Sequence, residues 1–231
     1  MIQFREYPSI GNAADAAWME RVRGAVPQEA LWAVQEKVDG ANMAFLCDDL
    51  DVRVARRHAV LSPGESFFHH EQVLEFYSGQ VYHVYNLVRL AHPEMTSIAV
   101  YGELFGGAYP HPDVVAQPGF KPIQKDIWYS PEYDFYAFDI YVFTKSGGFF
   151  LPVPEANALF STAGFLYARS LFVGPLEDCL AYPAAFQTTI PPELDLPPLP
   201  DNRCEGIVLK PLTPVVLSDG TRMAVKKKQR S

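Results

Sequence analysis

The sequence predicts a mixed α+β fold in which mainly antiparallel sheets are flanked by helices. Apolar side chains recur at helical spacing over residues 69–91, which predicts a long amphipathic helix. Two short apolar runs, residues 43–47 and 52–56, are separated by an Asp-Asp turn, which predicts a β-hairpin. The run 135–143 is apolar almost throughout, as expected of a strand that is buried on both faces.

The remaining elements follow from the same periodicities and from the positions of Gly and Pro. Residues 108–133 hold many Pro, Gly and aromatic residues, which predicts a long loop. The other predicted helices are residues 11–24, 154–162 and 175–186. The other predicted strands are one that ends at Lys37 and residues 98–104, 149–151, 206–210 and 222–227, with an extended Pro-rich connector at 191–200. We find no internal repeat and no Gly/Ser-rich linker, so we expect a single domain over residues 1–231.

Composition excludes several classes of protein. Hydrophobic residues make up 48% of the chain and charged residues 20%, which excludes a wholly disordered chain. The net charge of −8 argues against a generally basic nucleic-acid coat protein but is compatible with a local basic patch. Apolar stretches fall short of the ~18 residues of a membrane span, and the N-terminus has no apolar secretory core. We therefore expect an intracellular protein that is neither secreted nor embedded in a membrane.

The number and spacing of the three cysteines predict that their thiols are reduced. Cys47, Cys179 and Cys204 are too few and too scattered for a disulfide framework or a zinc site. We expect them to be reduced and mostly buried.

The functional prediction centres on a Lys-Val-Asp-Gly stretch at residues 37–40. It follows the apolar run 31–34, which predicts that Lys37 ends a strand and enters a tight turn at the mouth of a pocket. A lysine that loses its proton becomes an amine nucleophile. Four residues of common types recur by chance, so for this motif alone a solvated Lys beside an Asp-Gly turn is the commoner interpretation.

Further regions place charged or aromatic residues at predicted strand ends and turns. Lys226 and Lys228 lie two residues apart on one strand, so both side chains are expected on the same face. Cations there would favour the uncharged form of a neighbouring amine, although a solvated basic terminus is the alternative. The regions are residues 55–58 (Ala-Arg-Arg-His), 100–107 (Val-Tyr-Gly-Glu-Leu-Phe-Gly-Gly), 135–139 (Phe-Tyr-Ala-Phe-Asp), 205–210 (Glu-Gly-Ile-Val-Leu-Lys) and 224–228 (Ala-Val-Lys-Lys-Lys).

In this order, the motifs resemble the series shared by the covalent nucleotidyltransferases. Among these, the chain resembles the ATP-dependent RNA ligases of the phage RNA ligase 2 family, which includes the kinetoplastid RNA-editing ligases. The resemblance runs from Phe4 to Lys228 and includes residues 67–68 (Phe-Phe) and 123–124 (Ile-Gln). It implies an ATP-grasp-like nucleotidyltransferase fold, the adenylation domain of DNA and RNA ligases.

The resemblance also implies roles for individual residues. Lys37 would attack the α-phosphate of ATP and carry AMP, and Lys226 and Lys228 would act as catalytic residues at that phosphate. Glu205 would lie at a divalent cation, Mg²⁺ or Mn²⁺, which prefers oxygen ligands. The RNA substrate would be bound by Asn42, Arg57 and Gln124. The nucleotide would be bound by Glu36, Lys37, Val38, Asn42, Arg57, Glu103, Phe138, Glu205, Lys226 and Lys228.

Within the nucleotide-binding set, the resemblance assigns the ribose hydroxyl to Glu103 and adenine stacking to Phe138. Arg57 would contact nucleotide and RNA phosphate, because a guanidinium stays charged and forks onto phosphate oxygens. Phe138 is otherwise a core residue of its apolar strand. Asp139 needs a partner in that strand, and structural pairing and support of the site are equally good interpretations.

The predicted activity is ATP-dependent RNA ligation: a lysyl-AMP forms on Lys37, AMP passes to a 5′-phosphate RNA end, and that end is sealed to a 3′-hydroxyl. RNA ends or nicked duplex RNA are the expected partners. Three alternatives retain the same fold. They are a DNA ligase, a capping-type guanylyltransferase, and a non-catalytic homologue that binds nucleotide or RNA.

The chain departs from the family pattern in three places. Asp39 stands where several members have His, and His69-His70 replaces a frequent Gly-Tyr pair. The sequence ends three residues after Lys228, so we expect no C-terminal accessory domain within residues 1–231. Three interpretations stay open: the sequence is a truncated piece of a longer ligase, it is a minimal ligase, or a partner protein supplies the missing RNA-binding surface.

Overall fold

The computed structural model describes residues 2–229 and confirms the mixed α+β fold. Its helices are α1 (Ala16–Ala25), α2 (His70–Ala91), α3 (Val153–Ala163), α4 (Leu176–Ala181) and α5 (Ile190–Glu193). Its strands are β1 (Gly11–Asn12), β2 (Trp32–Lys37), β3 (Ala41–Cys47), β4 (Val52–Arg56), β5 (Ala59–Val60), β6 (Met95–Ala108), β7 (Ser130–Thr144), β8 (Gly147–Phe150), β9 (Phe172–Gly174), β10 (Gly206–Pro211) and β11 (Val225–Lys228). They form one sheet in the order β1-β11-β10-β2-β9 and a larger one in the order β5-β4-β3-β6-β7-β8.

The larger sheet is buried on both faces. One face packs beneath α2 and α3, in a core that contains Phe45 and Phe135. The other face carries a second core that includes Tyr7 from the N-terminal segment, Tyr101 and Tyr141. Strand β7 contributes side chains to both cores, which confirms the prediction of a strand buried on both faces.

The smaller sheet separates its own core from a cavity that it shares with the larger sheet. In the β2–β10 ladder Val34 lies opposite Leu209, and both side chains pack in a core that includes residues of α1 and α4. Because side chains alternate across a strand, Gln35 and Lys37 project from the opposite face. That face lines the cavity, together with strands of the larger sheet.

Helix α1 begins later than the sequence pattern predicts. The pattern placed a helix over residues 11–24, but Asp15 caps the N-terminus of α1 and accepts hydrogen bonds from the backbone of Ala17 and Trp18. The preceding pair Gly11–Asn12 forms β1, which runs parallel to β11. The N-terminal segment is thereby attached to the C-terminal strand of the same sheet.

The prediction was also wrong at several element boundaries in the second half of the chain. Only the first half of the predicted helix 175–186 forms, as α4. The connector 191–200 is not wholly extended, because α5 makes one helical turn with Pro at its start. The predicted strand 222–227 starts three residues later, as β11, and Arg222 forms only an isolated bridge. The predicted loop 108–133 gives way to β7 at Ser130.

The cysteines and the helices agree with the sequence-based expectations. Cys47, Cys179 and Cys204 are free and buried. Burial raises the pKa of the Cys47 thiol to about 12 and that of Cys204 to about 11, so both remain protonated at neutral pH. Within residues 2–229, every helix is too short or too polar to cross a bilayer.

Candidate active site

A cavity of about 630 Å³ lies between the two sheets, lined by strand ends and turns from both. The structure therefore brings together motifs that are far apart in sequence. One predicted site residue, Gln124, is not part of the lining. The predicted residues that do line the cavity are Glu36, Lys37, Val38, Asn42, Arg57, Glu103, Phe138, Glu205, Lys226 and Lys228.

The turn that follows β2 holds Lys37 at the mouth of the cavity. A Cβ at Gly40 would lie 2.3 Å from the carbonyl oxygen of Leu104, so only glycine lets β3 start this close to β6. The Asp39 amide donates a hydrogen bond of 3.0 Å to the Tyr129 hydroxyl. The Gln124 side-chain amide donates one of 2.9 Å to the Gly40 carbonyl. Gln124 thus contacts the turn that follows Lys37, and its role toward RNA stays a prediction.

Glu205 connects two of the predicted catalytic lysines. One of its carboxylate oxygens pairs with the Lys37 ammonium and the other with Lys228, 2.6 Å away. The Glu205 hydrogen bond and charge raise the pKa of Lys228. Lys37 is 22% exposed and Lys228 is 52% exposed, so this network connects the cavity wall to solvent.

The three consecutive lysines of β11 alternate across the sheet. Lys226 and Lys228 line the cavity, as their spacing predicts. Lys227 points to the other face, where its ammonium donates to the carbonyls of Leu180, at 2.7 Å, and Tyr182, at 3.0 Å. The basic terminus is therefore an ordered strand whose two outer lysines face the same cavity as Lys37.

Three carboxylates share this part of the cavity. Burial raises the pKa of Glu103 to about 7, with Lys37 lowering it and Glu205 and Asp39 raising it. Burial, and then the charge of Glu205, raises the pKa of Asp39. Burial is the main cause of both shifts, and the same cavity is also lined by the cations Lys37, Arg57, Lys226 and Lys228.

The raised pKa of Glu103 predicts that the stability of the fold depends on pH. Its folded pKa of about 7 lies above the ordinary 4.5, so the folded chain holds the proton more tightly than the unfolded chain. Protonated Glu103 therefore adds to the free energy of unfolding. This stabilisation is fully present below about pH 4.5 and is lost as the pH rises through about 7. We therefore expect Glu103→Gln to raise the melting temperature more at pH 8 than at pH 5. The exposed Glu177→Gln is the control and should show little difference, whereas equal shifts for Glu103→Gln at both pH values would contradict the assignment.

Two of the three carboxylates can serve as ligands of a divalent cation, which prefers oxygen donors. Glu205 and Asp39 both line the cavity and offer carboxylate oxygens. Within the described part of the chain, His, Cys, Asp and Glu form no group of three placed to hold a metal. Mg²⁺ fits such a sparse donor set, because it keeps several waters and needs only one or two carboxylates.

The inner end of the cavity is aromatic and contains Phe138. The ring of Tyr7 meets the Phe138 ring edge-on, with 4.9 Å between the centroids. The Lys210 ammonium lies 5.1 Å from the centroid of the same ring and donates to the Phe138 carbonyl at 2.8 Å. Phe138 is only partly buried and lines the cavity, so it is available for stacking as well as for packing.

Asp139 is a structural residue that supports the cavity from behind. Its carboxylate is fully buried and accepts hydrogen bonds from Arg222, from Lys210 at 2.9 Å and from the Tyr7 hydroxyl at 2.6 Å. Burial alone would raise the pKa of Asp139, but the charges of Arg222 and Lys210 lower it below its ordinary value. Burial lowers the pKa of Lys210 to about 8.

The remaining predicted residues differ in what they can offer a nucleotide. The Glu36 carboxylate is bound by Thr188 and by the hydroxyl and amide of Thr189, so Glu36 has little but its backbone to present to the cavity. Arg57 is exposed in the turn between β4 and β5, at the rim. Asn42 pairs with Glu103 across β3 and β6, which places both at one edge of the cavity.

The structure also adds lining residues that the sequence pattern did not identify. Tyr7 comes from the N-terminal segment, and its sequence context carries no signal for a site. Gln35 and Val208 lie directly opposite one another in the β2–β10 ladder. Each lies two residues from a cavity lysine, Gln35 from Lys37 and Val208 from Lys210. Residues at this spacing share one face of a strand, and that was the signal that could have identified them.

A family profile described as RNA ligase matches residues 30–228. The chain belongs to the RNA ligase family. Mitochondrial RNA-editing ligase 2 of Trypanosoma brucei brucei is 32% identical over 228 residues, which cover 90% of this chain and 55% of that protein. RNA-editing ligase 1 of the same species is 32% identical over 216 residues, covering 81% of this chain and 45% of that protein. The chain thus spans about half the length of these relatives.

Solved RNA ligases share the fold. A variant of the Naegleria gruberi RNA ligase, solved with ATP and Mn, matches with a TM-score of 0.60 and 16% identity, covering 99% of this chain and 58% of that chain. An archaeal ATP-dependent RNA ligase matches with a TM-score of 0.56 and 19% identity, covering 99% of this chain and 49% of that chain. These matches confirm the predicted nucleotidyltransferase fold.

Proposed function

We propose that this RNA ligase family member is an ATP-dependent RNA ligase that carries AMP on Lys37. It would transfer the AMP to a 5′-phosphate RNA end and join that end to a 3′-hydroxyl. The observation that supports this proposal is the position of Lys37 at the mouth of a cavity that also contains Phe138 and the lysines of β11. Such a cavity can hold a base, a ribose and phosphates in one extended line.

The first step is nucleophilic substitution at the α-phosphate. The Lys37 amine, having lost a proton, forms a bond to phosphorus while the bond from phosphorus to the pyrophosphate oxygen breaks. Lys226 and Lys228 face the same space and would stabilise the negative charge that develops on the phosphoryl oxygens. The Lys37 nitrogen is paired with the Glu205 carboxylate, so this pair must open before the amine can attack phosphorus. A divalent cation bound at Glu205 would supply positive charge to the phosphates.

The two later steps complete the ligation. A 5′-phosphate oxygen of RNA attacks the AMP phosphorus, releases Lys37 and forms an adenylated end. A 3′-hydroxyl then attacks the 5′-phosphorus of that end and releases AMP. Arg57, exposed at the rim, would contact the incoming phosphate. Membership of the RNA ligase family favours RNA over DNA or a capped acceptor.

The test is incubation of the purified chain with Mg²⁺ or Mn²⁺ and ATP that is labelled at the α-phosphate. We expect the label to become attached to the protein through an acid-labile, base-stable bond, as a phosphoramidate of lysine requires. Addition of RNA that carries a 5′-phosphate should move the label to the RNA. GTP and a DNA end of equal sequence are the controls for the guanylyltransferase and DNA ligase alternatives. Absence of any labelled protein would refute the proposed function.

A further inference from the structure

Gln35 is a buried polar side chain that the proposed chemistry does not use. It lines the cavity and is 1% exposed. It lies opposite Val208 in the β2–β10 ladder and two residues before Lys37, on the same face of the sheet. The side chain lies near Phe138, because Ala168, which it contacts, donates its backbone N–H to the carbonyl of Ala137, the residue before Phe138.

The orientation of its amide is fixed by a neighbour. Nε2 of Gln35 donates a hydrogen bond to the carbonyl oxygen of Ala168, another lining residue. A carbonyl can only accept, so the amide nitrogen must face Ala168 and the amide oxygen must face elsewhere. That oxygen, Oε1, is buried and has no hydrogen-bond partner.

An unpaired buried acceptor calls for an explanation. Leaving one unsatisfied costs about 1–3 kcal/mol, so a group of this kind in a cavity wall is suited to a ligand that brings a donor. A purine that stacks on Phe138 would present its ring edge to the cavity wall. Adenine carries an amino group at its 6-position, which donates, whereas guanine carries an oxo group there, which only accepts.

We propose that Gln35 selects adenine, because its Oε1 accepts a hydrogen bond from the exocyclic 6-amino group of the base. This inference rests on the proposed function and adds to it a residue that determines nucleotide specificity. Guanine would place its 6-oxo group against Oε1 and leave both acceptors unpaired. Gln35 would thus determine which base is bound, while Lys37 on the same face would attack the α-phosphate.

The test compares ATP with purine riboside triphosphate, which lacks only the 6-amino group, and with GTP. The rate of lysyl-nucleotide formation divided by KM should favour ATP over the purine analogue by about tenfold to a hundredfold in the parent chain. In Gln35→Leu, the value for ATP should fall to near that of the analogue, and the analogue itself should change little. A purely structural role would lower both values together, so the ratio distinguishes the two roles.

Gln35→Met, which keeps the length of the side chain without its amide, is the second variant in case the leucine variant does not fold. Retention of the parent ratio in either folded variant would overturn the proposal. If neither variant folds, a ratio near one in the parent chain overturns it, and a ratio of tenfold or more supports it. Calorimetric titration with ATP and with purine riboside triphosphate measures binding without the covalent step. It therefore tests base selection independently of the proposed ligase activity. Absence of lysyl-AMP with a retained preference for binding ATP would refute the ligase proposal alone.

Discussion

Lys37→Met should abolish attachment of labelled AMP to the protein, with a loss of at least about a thousandfold in rate. The reason is that Lys37 is the lining amine at the turn after β2, whereas Lys226 and Lys228 lie on β11 and Lys210 is bound to Asp139. The substitution should leave the fold intact, because Glu205 retains its pair with Lys228. The measurement is gel autoradiography after incubation with labelled ATP and Mg²⁺.

Lys227→Met is the matched control for this prediction. Lys227 lies between the two cavity lysines but donates to the carbonyls of Leu180 and Tyr182 on the opposite face. We expect it to retain AMP attachment, with some loss of stability at most. Labelled protein from Lys37→Met at a rate near that of the parent chain would show that another residue carries AMP, and peptide mapping would then identify it.

Asp139→Ala should destabilise the fold by about 3–5 kcal/mol. Removal of this carboxylate leaves Arg222 and Lys210 as neighbouring buried cations without their shared anion. It also removes the acceptor of the Tyr7 hydroxyl, which attaches the N-terminal segment to β7. The measurement is the free energy of unfolding from urea denaturation at neutral pH, with Asp139→Asn as the variant of conserved size.

Glu177→Ala is the comparison for Asp139. Glu177 pairs with Arg23 at 3.0 Å, but their side chains are 68% and 51% exposed, so the expected effect is within about 1 kcal/mol. A destabilisation of Asp139→Ala as small as that of Glu177→Ala would show that the buried cluster is dispensable. Such a small destabilisation would favour a role of Asp139 in nucleotide binding instead.

The sequence by itself determined the fold class, the long helix α2, the β3–β4 hairpin and the RNA ligase family. These features depend on local periodicity, turn residues and the order of short motifs, all of which are visible in the printed chain. The alternation of Lys226 and Lys228 across β11 was likewise predictable, since two residues apart on a strand means the same face. Each predicted nucleotide-binding residue lines one cavity.

The tertiary structure alone decided which groups pair inside that cavity and behind its wall. Asp139 meets Lys210 and Arg222 across sequence separations of 71 and 83 residues, and no local pattern encodes such contacts. These contacts favour the structural interpretation of Asp139, although its strand context fitted a site role equally well. Glu205 similarly reaches Lys37 only because β2 and β10 are neighbours in register. The unpaired oxygen of Gln35 depends on the position of the Ala168 carbonyl, 133 residues away, and a backbone hydrogen bond from Ala168 to Ala137 holds that position.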